Sequence, residues 1–283
     1  MQTFKSKKYI NCKGKLVNLE KPTVMGILNI TNDSFFDGGK HNSVDNALFQ
    51  TEKMLNEGAT FIDIGAQSTR PGADMIGQDS ELKAAIPVIE KLAEKFPEII
   101  ISIDTFRAEV AQQAIAAGAS MINDVSGGED DPKMFETVIN LKVPYILMHK
   151  QGDYKTMHHN PTYQNVVPDI MNYIIPKVEY LKQNGVADLI LDLGFGFGKN
   201  LEHNYELLSK MDRFKIFELP ILVGVSRKKM IQNIIEADAQ QALNGTTVVN
   251  TIALMKGAKI LRVHDVKEAV EAVKIFEMLN YEC

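Results

Sequence analysis

Eight short, mostly β-branched apolar runs recur along the chain, and each ends in a polar residue capable of chemistry. Stretches with the helical spacing of apolar residues lie between most of them. The runs are Val24–Asn29, Phe61–Gly65, Ile99–Asp104, Met121–Asp124, Tyr145–His149, Leu189–Asp192, Ile221–Ser226 and Ile260–His264. Eight strand–helix units are typical of a (β/α)8 barrel, whose active site is assembled at the carboxyl ends of the strands.

A doubly wound open sheet is the main structural alternative, because it uses the same strand–helix units. The number of runs favours the barrel, and no G-x-G-x-x-G opens a helix after the first run. The segment Gly194–Lys199 is similar to a phosphate-binding loop. However, Leu193 occupies the first glycine position of that motif and Asn200 replaces its Ser/Thr, so a Walker loop is rejected. No linker or low-complexity tract divides the chain, and we predict a single barrel domain over residues 1–283.

The residues before the first run predict a short hairpin. Residues 9–19 read as two strands around a turn at Lys13-Gly14. We expect this hairpin, within residues 1–20, to cap the amino-terminal mouth of the barrel, which would otherwise leave apolar side chains in water.

The connections differ in length, and the two that follow the first two runs are long and rich in turn residues. These are Thr31–Asn42 and Gln67–Gly77, and loops of this length are expected at a catalytic face. The fifth connection, from Lys150 to Gly185, is the longest. Apolar spacing and capping residues predict helices from about Ser43 to Gly58 and at Ser80–Phe96, Arg107–Ala117, Val166–Gln183 and Gly245–Gly257.

Composition narrows the class of protein. At 283 residues the chain is long enough for a barrel, and its net charge of −5 argues against a general nucleic-acid binder. Cys12 and Cys283 form neither a disulfide framework nor a zinc site. The start, Met1–Ile10, lacks the apolar region of a signal peptide, and no apolar run approaches the length of a membrane span. We predict a soluble cytoplasmic protein with no membrane or nucleic-acid partner.

Alternation within the runs predicts which side chains face the barrel interior. In Ile260–His264, Arg262 and His264 share one face, whereas Leu261 and Val263 face the helices. Applied to all runs, this pattern brings distant polar residues to one pocket. They are Asn29, Asp104, Asn123, Asp192, Lys228, Arg262 and His264.

Three of these residues suit a flat, amidine-like heterocycle. A carboxylate such as Asp104 or Asp192 can accept two hydrogen bonds from an N–C–NH2 edge, and Asn123 can donate and accept in one plane. Each alone could instead cap a strand end, but three together favour ligand binding. Asp63 lies in mid-strand, and we assign it the structural role of orienting a neighbour.

The cations suit an anionic group. Arg70, Lys228, Arg262 and His264 lie at or just past strand ends and together can neutralise a diphosphate, while Arg262 can also stack on a flat ring. A lone arginine would normally be a solvated surface residue. His149 also ends a strand, but Met148 before it is the better candidate for a pocket wall.

Asn29 is the candidate metal ligand. It can supply one oxygen to a Mg²⁺ held mainly by substrate phosphates, since magnesium commonly takes one or two protein ligands in such sites. Asp33 and Asp37 follow closely, but turn formation by their side chains is the favoured interpretation.

These motifs, taken in order, resemble the dihydropteroate synthase family over nearly the whole chain. Met25–Gly39 (MGILNITNDSFFDGG) is similar to the family's first signature and Ser68–Gly72 (STRPG) to its second. Ser102–Thr105, Ile122–Asp124, Leu191–Asp192 with Gly194–Lys199, Gly224–Lys228 and Arg262–Asp265 follow in the family's order. Each motif alone is weak, but the ordered set is specific.

The resemblance implies a reaction. The family joins 6-hydroxymethyl-7,8-dihydropterin diphosphate to 4-aminobenzoate, making 7,8-dihydropteroate for folate synthesis and releasing pyrophosphate. It implies a homodimer, Mg²⁺ as cofactor and an enzyme of the kind that sulfonamides target. The implied catalytic residues are Asp104, Lys228, Arg262 and His264.

The resemblance also implies which residues bind each group. Asp104, Asn123, Asp192 and Lys228 would hold the pterin, with Arg262 stacked against it and Met148 and Gly224 lining the pocket. Asn29 would contact Mg²⁺, and Arg70, Arg262 and His264 would bind the diphosphate. Thr69, Pro71, Phe197 and Lys228 would surround the aminobenzoate, with Ser226 near its carboxylate.

The sequence departs from the family pattern at four positions, and none of them is a proposed catalytic residue. They are Asn32, Phe36, Gln67 and Leu193. Two other functions remain open: a pterin-binding methyltransferase module that uses methyltetrahydrofolate, and a catalytically silent binding protein. The first would not need the Ser-Thr-Arg-Pro loop or the cations, and loss of Asp104, Lys228 or Arg262 would have indicated the second.

Overall fold

Eight parallel strands close into a barrel, and a two-stranded antiparallel hairpin precedes them. The structure is a computed structural model that describes residues 6–30, 40–66, 75–153, 157 and 161–279. Each barrel strand pairs with its neighbour in the chain, and the last strand pairs with the first to complete the closure. The barrel predicted from the eight apolar runs is confirmed.

The hairpin strands are β1 (Tyr9–Cys12) and β2 (Lys15–Asn18). The barrel strands are β3 (Thr23–Asn29), β4 (Phe61–Gly65), β5 (Ile101–Asp104), β6 (Met121–Asp124), β7 (Tyr145–Met148), β8 (Leu189–Asp192), β9 (Ile221–Val223) and β10 (Ile260–Val263). Compared with the apolar runs, β5 starts two residues later, and β7, β9 and β10 end earlier. His149, Ser226 and His264 therefore lie just beyond strands.

The helices cover the outside of the barrel. They are α1 (Lys40–Asn56), α2 (Gln78–Lys95), α3 (Ala108–Ala117), α4 (Met134–Leu141), α5 (Val166–Gln183), α6 (Leu201–Ser209), α7 (Lys229–Ile235), α8 (Leu243–Lys256) and α9 (Val266–Leu279), with a 3-10 helix at Met211–Phe217. The first begins at Lys40, inside the loop predicted for residues 31–42, so that boundary was wrong. No described helix is long and apolar enough to cross a membrane.

Helix α3 shows how the sequence sets these boundaries. It is rich in alanine, the strongest helix former, and it ends at Gly118 with a φ of 129°. A Cβ atom at Gly118 would lie 2.8 Å from Cβ of Ala93 on α2, so only glycine allows this turn and this helix contact.

Alternation along the strands separates two cores. Outward-facing residues such as Ile103 and Leu261 pack between barrel and helices. Inward-facing residues near the amino ends of the strands form a second, smaller cluster. Both patterns follow from the two-residue period of a strand.

The hairpin completes that second cluster. Ile10 and Cys12 of β1, with Val17 and Leu19, pack against the inward residues of the barrel. The hairpin therefore plugs the amino-terminal mouth, as its position before the first run predicts.

Candidate active site

Arg262 occupies the centre of a charged cluster at the carboxyl ends of the strands. Its Nε donates to Oδ2 of Asp63 at 2.6 Å, and its Nη2 donates to Oδ2 of Asp104 at 2.6 Å. The side chain of Asp63 is fully buried, and those of Arg262 and Asp104 are 19% and 11% exposed. Barrel closure explains these contacts, because it places the last strand beside the first, with β4 and β5 as the next two strands around the barrel.

Asp63 orients two neighbours at once. Besides the guanidinium, its Oδ2 accepts a hydrogen bond from Nδ2 of Asn123 at 2.9 Å. The predicted structural role of Asp63 agrees with this geometry. The hydrogen bonds from Asn123 and Arg262 to this one carboxylate could not be predicted from the sequence. The three residues lie on three strands that are far apart in the chain.

Several buried acceptors in this cluster lack partners. Within the described part of the chain, Oδ1 of Asp63, Oδ1 of Asn123 and Oγ of Ser102 are buried without a hydrogen-bond partner. Such atoms are costly in a core and are expected where a ligand or water completes the bonding. The cluster can therefore receive a flat molecule that offers several N–H donors.

The electrostatics of the cluster are unusual. Burial raises the pKa of Asp104 to about 7, although Arg262 opposes the shift and the Asp63 carboxylate adds to it. Burial works against the charge on Arg262, but Asp63 and Asp104 hold its pKa above the ordinary arginine value. Asp104 consequently titrates in the physiological range while the arginine stays charged.

Asp192 and Lys228 form the opposite side of the pocket. Oδ1 of Asp192 accepts from the Gly194 amide at 2.8 Å, and burial raises the pKa of Asp192 while Lys228 opposes the shift. Nζ of Lys228 donates to the Phe195 carbonyl and lies 4.7 Å from the centre of the Phe197 ring. Burial lowers the pKa of Lys228 to about 8, against the attraction of Asp192.

Two other predicted residues also belong to this end of the barrel. Met148 is buried and lies opposite Asp192 in the register between β7 and β8. Gly224 follows β9, and a Cβ atom there would lie 3.9 Å from the Arg262 side chain. The absent side chain at Gly224 therefore leaves room beside the guanidinium.

Ser226 and His264 contact each other. The Ser226 hydroxyl lies 3.0 Å from Nδ1 of His264 and accepts a hydrogen bond from the His264 amide at 3.2 Å. Ser226 is buried, whereas His264 is exposed. Arg227, between Ser226 and Lys228, turns away and binds Asp265 with two hydrogen bonds of 2.8 Å. That pair fastens the end of β9 to the end of β10, a contribution that the sequence did not indicate.

Asn29 lies exposed at the end of β3 and offers a single amide oxygen. Among the described residues, no group of three or more His, Cys, Asp or Glu side chains could hold a metal ion. The donor chemistry suits a hard cation whose remaining ligands come from phosphates and water, as magnesium allows.

The two long loops predicted at 31–42 and 67–77 fall mostly outside the part of the chain that the structure describes. Thr69, Arg70, Pro71, Asp33 and Asp37 lie outside the described residues, as do three of the four departures, Asn32, Phe36 and Gln67. The fourth, Leu193, is fully buried in the core between barrel and helices.

The fold and the cluster together define a class. Enzymes of the (β/α)8 class carry their active sites at the carboxyl ends of the strands. This barrel has buried carboxylates, an amide and cations at that end, which is typical of an enzyme that binds a polar small molecule.

Comparison with known proteins gives the family. The model of the pterin binding enzyme family matches residues 25–264, and the chain belongs to this family. The dihydropteroate synthase of Escherichia coli strain K12 is 45% identical over 267 residues, covering 94% of each chain. The ordered motifs of the sequence are thus confirmed as a family signature.

Solved structures agree in fold and in length. The Yersinia pestis dihydropteroate synthase, solved in complex with a sulfonamide drug, shares 44% identity with a TM-score of 0.89, covering 96% of this chain and 98% of its own. The Xanthomonas albilineans dihydropteroate synthase, solved with 4-aminobenzoic acid, shares 36% identity with a TM-score of 0.90, covering 98% and 100%.

Proposed function

We propose that this chain condenses 6-hydroxymethyl-7,8-dihydropterin diphosphate with 4-aminobenzoate to give 7,8-dihydropteroate and pyrophosphate, as a transferase of folate biosynthesis. The observation that carries the proposal is the cluster of Asp63, Asp104, Asn123 and Arg262, built on a barrel whose full-length relatives are dihydropteroate synthases. The residue roles that follow are part of the proposal.

The pterin occupies the space among Asp104, Asn123 and Asp192. Its N–C–NH2 edge supplies the donors that the buried acceptors of this cluster lack. Arg262 then exchanges its bond to Asp104 for contact with the face of the ring, where a guanidinium stacks favourably. Met148 and Gly224 border the ring with apolar surface and open space.

The aminobenzoate binds on the side of Lys228. The Phe197 ring and the Lys228 ammonium form one wall. The resemblance to the family adds Thr69 and Pro71, which lie outside the described residues, as further residues for this substrate. Ser226 supplies a hydroxyl for the carboxylate. Because a lysine pKa near 8 leaves an appreciable neutral fraction, protonation of Lys228 becomes sensitive to pH near neutrality.

Bond cleavage at the pterin methylene precedes attack by the arylamine. The C–O bond breaks with its electron pair on the diphosphate, and a cationic pterin methylene remains. Asp104, once ionised, stabilises that cation, and Arg70, Arg262 and His264 stabilise the anionic leaving group. The neutral amine then forms the new C–N bond and loses a proton to the released pyrophosphate or to water.

Magnesium fits the site as an auxiliary. Asn29 would supply one oxygen ligand, and the ion would add positive charge beside the diphosphate. The exposed position of Asn29 at a strand end supports this assignment.

The methyltransferase alternative is not favoured. Relatives of 45% and 42% identity over most of the chain are dihydropteroate synthases. The described cations Lys228, Arg262 and His264, which a methyl transfer would not need, also lie at one end of the barrel. Retention of Asp104, Lys228 and Arg262 likewise disfavours a catalytically silent binding protein.

The chain acts as a single domain and as a homodimer, through a face remote from the strand ends. Helices α8 and α9 carry the exposed apolar residues Val248, Ile252, Met255, Ile275 and Met278. Clusters of this kind commonly mark protein interfaces. Sedimentation of the chain and of Met255→Glu tests this, and a monomeric parent chain would refute the dimer.

The chain functions in the cytoplasm. It carries only two cysteines, and the Cys12 thiol is buried in the hairpin core, where desolvation raises its pKa to about 12. A buried free thiol suits a reducing compartment. Fractionation of the source cells would test this location.

The deciding experiment is product formation. Purified protein is supplied with the pterin diphosphate, 4-aminobenzoate and Mg²⁺, and dihydropteroate and pyrophosphate are quantified. We expect the two products in equal amounts, dependent on both substrates. Absence of product, where a known enzyme turns over in parallel, would refute the function; pyrophosphate without dihydropteroate would indicate hydrolysis instead.

A further inference from the structure

A glycine turn after β8 presents the groups that contact Lys228. Gly194, Gly196 and Gly198 adopt positive φ values of 65°, 82° and 61°. A Cβ atom at Gly194 would lie 1.8 Å from the His149 carbonyl oxygen, and one at Gly198 would lie 2.3 Å from the Gln151 carbonyl oxygen. The turn therefore lies directly against the backbone that follows β7.

The side chain of Lys199 closes this turn from inside. Its Nζ donates to the Gly194 carbonyl at 2.8 Å and to the Phe197 carbonyl at 3.1 Å. The third neighbour of Nζ is Nδ1 of His149, at 3.0 Å. An ammonium group has three N–H donors, and these three neighbours are acceptors for all of them.

This arrangement specifies the state of His149. Burial lowers the pKa of Lys199, and Asp192 opposes that shift. With Lys199 as the ammonium, the ring nitrogen that faces it offers a lone pair, and the neutral imidazole then carries its proton on Nε2. Burial and the Lys199 charge both lower the pKa of His149 well below its ordinary value, in agreement with a neutral ring. Lys199 and His149 are only 6% and 4% exposed, so water does not replace these bonds.

The glycine turn also holds the side chain of Lys228. The Phe195 carbonyl accepts a hydrogen bond from Nζ of Lys228, and the Phe197 ring lies beneath the same ammonium. A Cβ atom at Gly196 would lie 3.3 Å from Cδ of Lys228, so the turn also packs against the lysine stem. Lys199 thus binds the carbonyls of Gly194 and Phe197, which lie on either side of the Phe195 carbonyl that Lys228 contacts.

Resting on the function proposed above, we propose that Lys199, held by His149, is a positioning residue that places Phe197 and Lys228 for the aminobenzoate. It contacts neither substrate itself. The similarity of Gly194–Lys199 to a phosphate loop is explained by this internal use of the lysine.

The first test replaces Lys199 by methionine, which keeps length and removes all three donors. We expect the KM for 4-aminobenzoate to rise about tenfold, because the loss of one or two net hydrogen bonds loosens the wall. The Kd of the pterin measured by calorimetry should rise by a smaller factor than this KM, since Lys228 is only one of the residues assigned to the pterin and Asp104 and Asn123 lie outside the turn. A normal KM for 4-aminobenzoate, or equal weakening of both ligands, would overturn the proposal.

The second test uses a matched pair at His149 and remains informative if the methionine variant does not fold. His149→Asn places an acceptor oxygen near the position of Nδ1, whereas His149→Leu has similar bulk and none. We expect the asparagine variant to keep the KM for 4-aminobenzoate within about twofold and the leucine variant to raise it about fivefold or more. Equal KM values for the pair would overturn the proposal. If the unaltered protein forms no product, the proposed function fails instead, so the two failures are distinguishable.

Discussion

The two ends of the barrel interior differ sharply, although the same strands build both. Phe61, Ile190 and Ile260 face inward near the amino ends and belong to an apolar cluster closed by the hairpin. Two residues further along the same strands, the inward side chains are Asp63, Asp192 and Arg262. A distance of roughly 7 Å along a strand thus separates an apolar core from a charged pocket.

The amino-terminal end of the barrel interior stabilises the fold, whereas the carboxyl-terminal end reduces stability in favour of a binding site. At the amino-terminal end, the plug removes apolar side chains from water. At the carboxyl end, charges are buried and some described acceptors stay unpartnered, which costs stability but prepares a site for ligand. We therefore expect substitutions at one end to change unfolding and at the other to change turnover.

The largest effect is expected for Lys228→Ala at the charged end. Loss of the ammonium should lower kcat/KM about 1000-fold, because a charge placed at the reacting groups typically contributes that much. The Tm should move little, since the change also relieves burial of a charge. Lys229→Ala, at the exposed neighbouring lysine, is the control and should be near normal. Near-normal turnover of Lys228→Ala would remove this residue from the mechanism.

At the apolar end, Phe61→Ala should have the opposite profile. Deleting a fully buried ring should lower the free energy of unfolding by about 3–5 kcal/mol, measured by urea denaturation. KM values at a temperature where the variant is folded should be unchanged. Phe49→Ala, at an exposed phenylalanine on α1, should cost less than about 0.5 kcal/mol. A large change in KM for Phe61→Ala would show that the two ends are coupled.

A smaller effect concerns pH at the charged end. If Asp104 binds the pterin as a carboxylate, as proposed, kcat/KM should rise with pH through about 7 as Asp104 ionises. It should fall above about 8 as Lys228 loses its proton. Because Asp63 raises the pKa of Asp104, Asp63→Asn should move the acid limb to lower pH. An acid limb that stays in place, in a pH–rate profile of the folded variant, would contradict this coupling.

The smallest effect is expected in the plug. Cys12→Ala removes only a sulfur atom from the hairpin core and should cost about 1 kcal/mol of unfolding free energy, with unchanged turnover. Thermal denaturation and the product assay measure the two quantities side by side. Loss of activity in the folded variant would mean that the hairpin does more than close the barrel.

Much of this contrast could be predicted from the sequence. The period of two within each run separates inward from outward residues, and the count of runs selects the barrel. Helices α4, α7 and α9 and the early start of α1 were not predicted. Helices of seven or eight residues and a polar beginning give weak periodic signals, which accounts for α4, α7 and α1 but not for α9. The role of Asp124 was also not predicted. Its carboxylate accepts hydrogen bonds from the amides of Ser126 and Gly128 and so stabilises a turn.

The hydrogen bonds and ion pairs inside the site could not be predicted from the sequence. Arg262 and Asp63 are 199 positions apart, and only the closed barrel brings them together. Lys199 and His149 are 50 positions apart, and the sequence alone favours Met148 over His149 as the pocket residue at the end of this strand. Nothing in local spacing distinguishes a lysine that binds its own backbone from one that binds a ligand.

The ion pair between Arg262 and Asp104 makes occupation of the pocket an exchange reaction. In the proposed exchange the ring takes the place of the guanidinium at Oδ2 of Asp104, so its gain there is only a difference between two bonds. Selectivity then depends on where the released cation goes. A molecule with both a flat face and an attached anion offers Arg262 new partners, whereas one with a donor edge alone gives it no replacement for the bond to Asp104. Affinity at this pocket is thereby tied to the whole substrate rather than to its heterocycle.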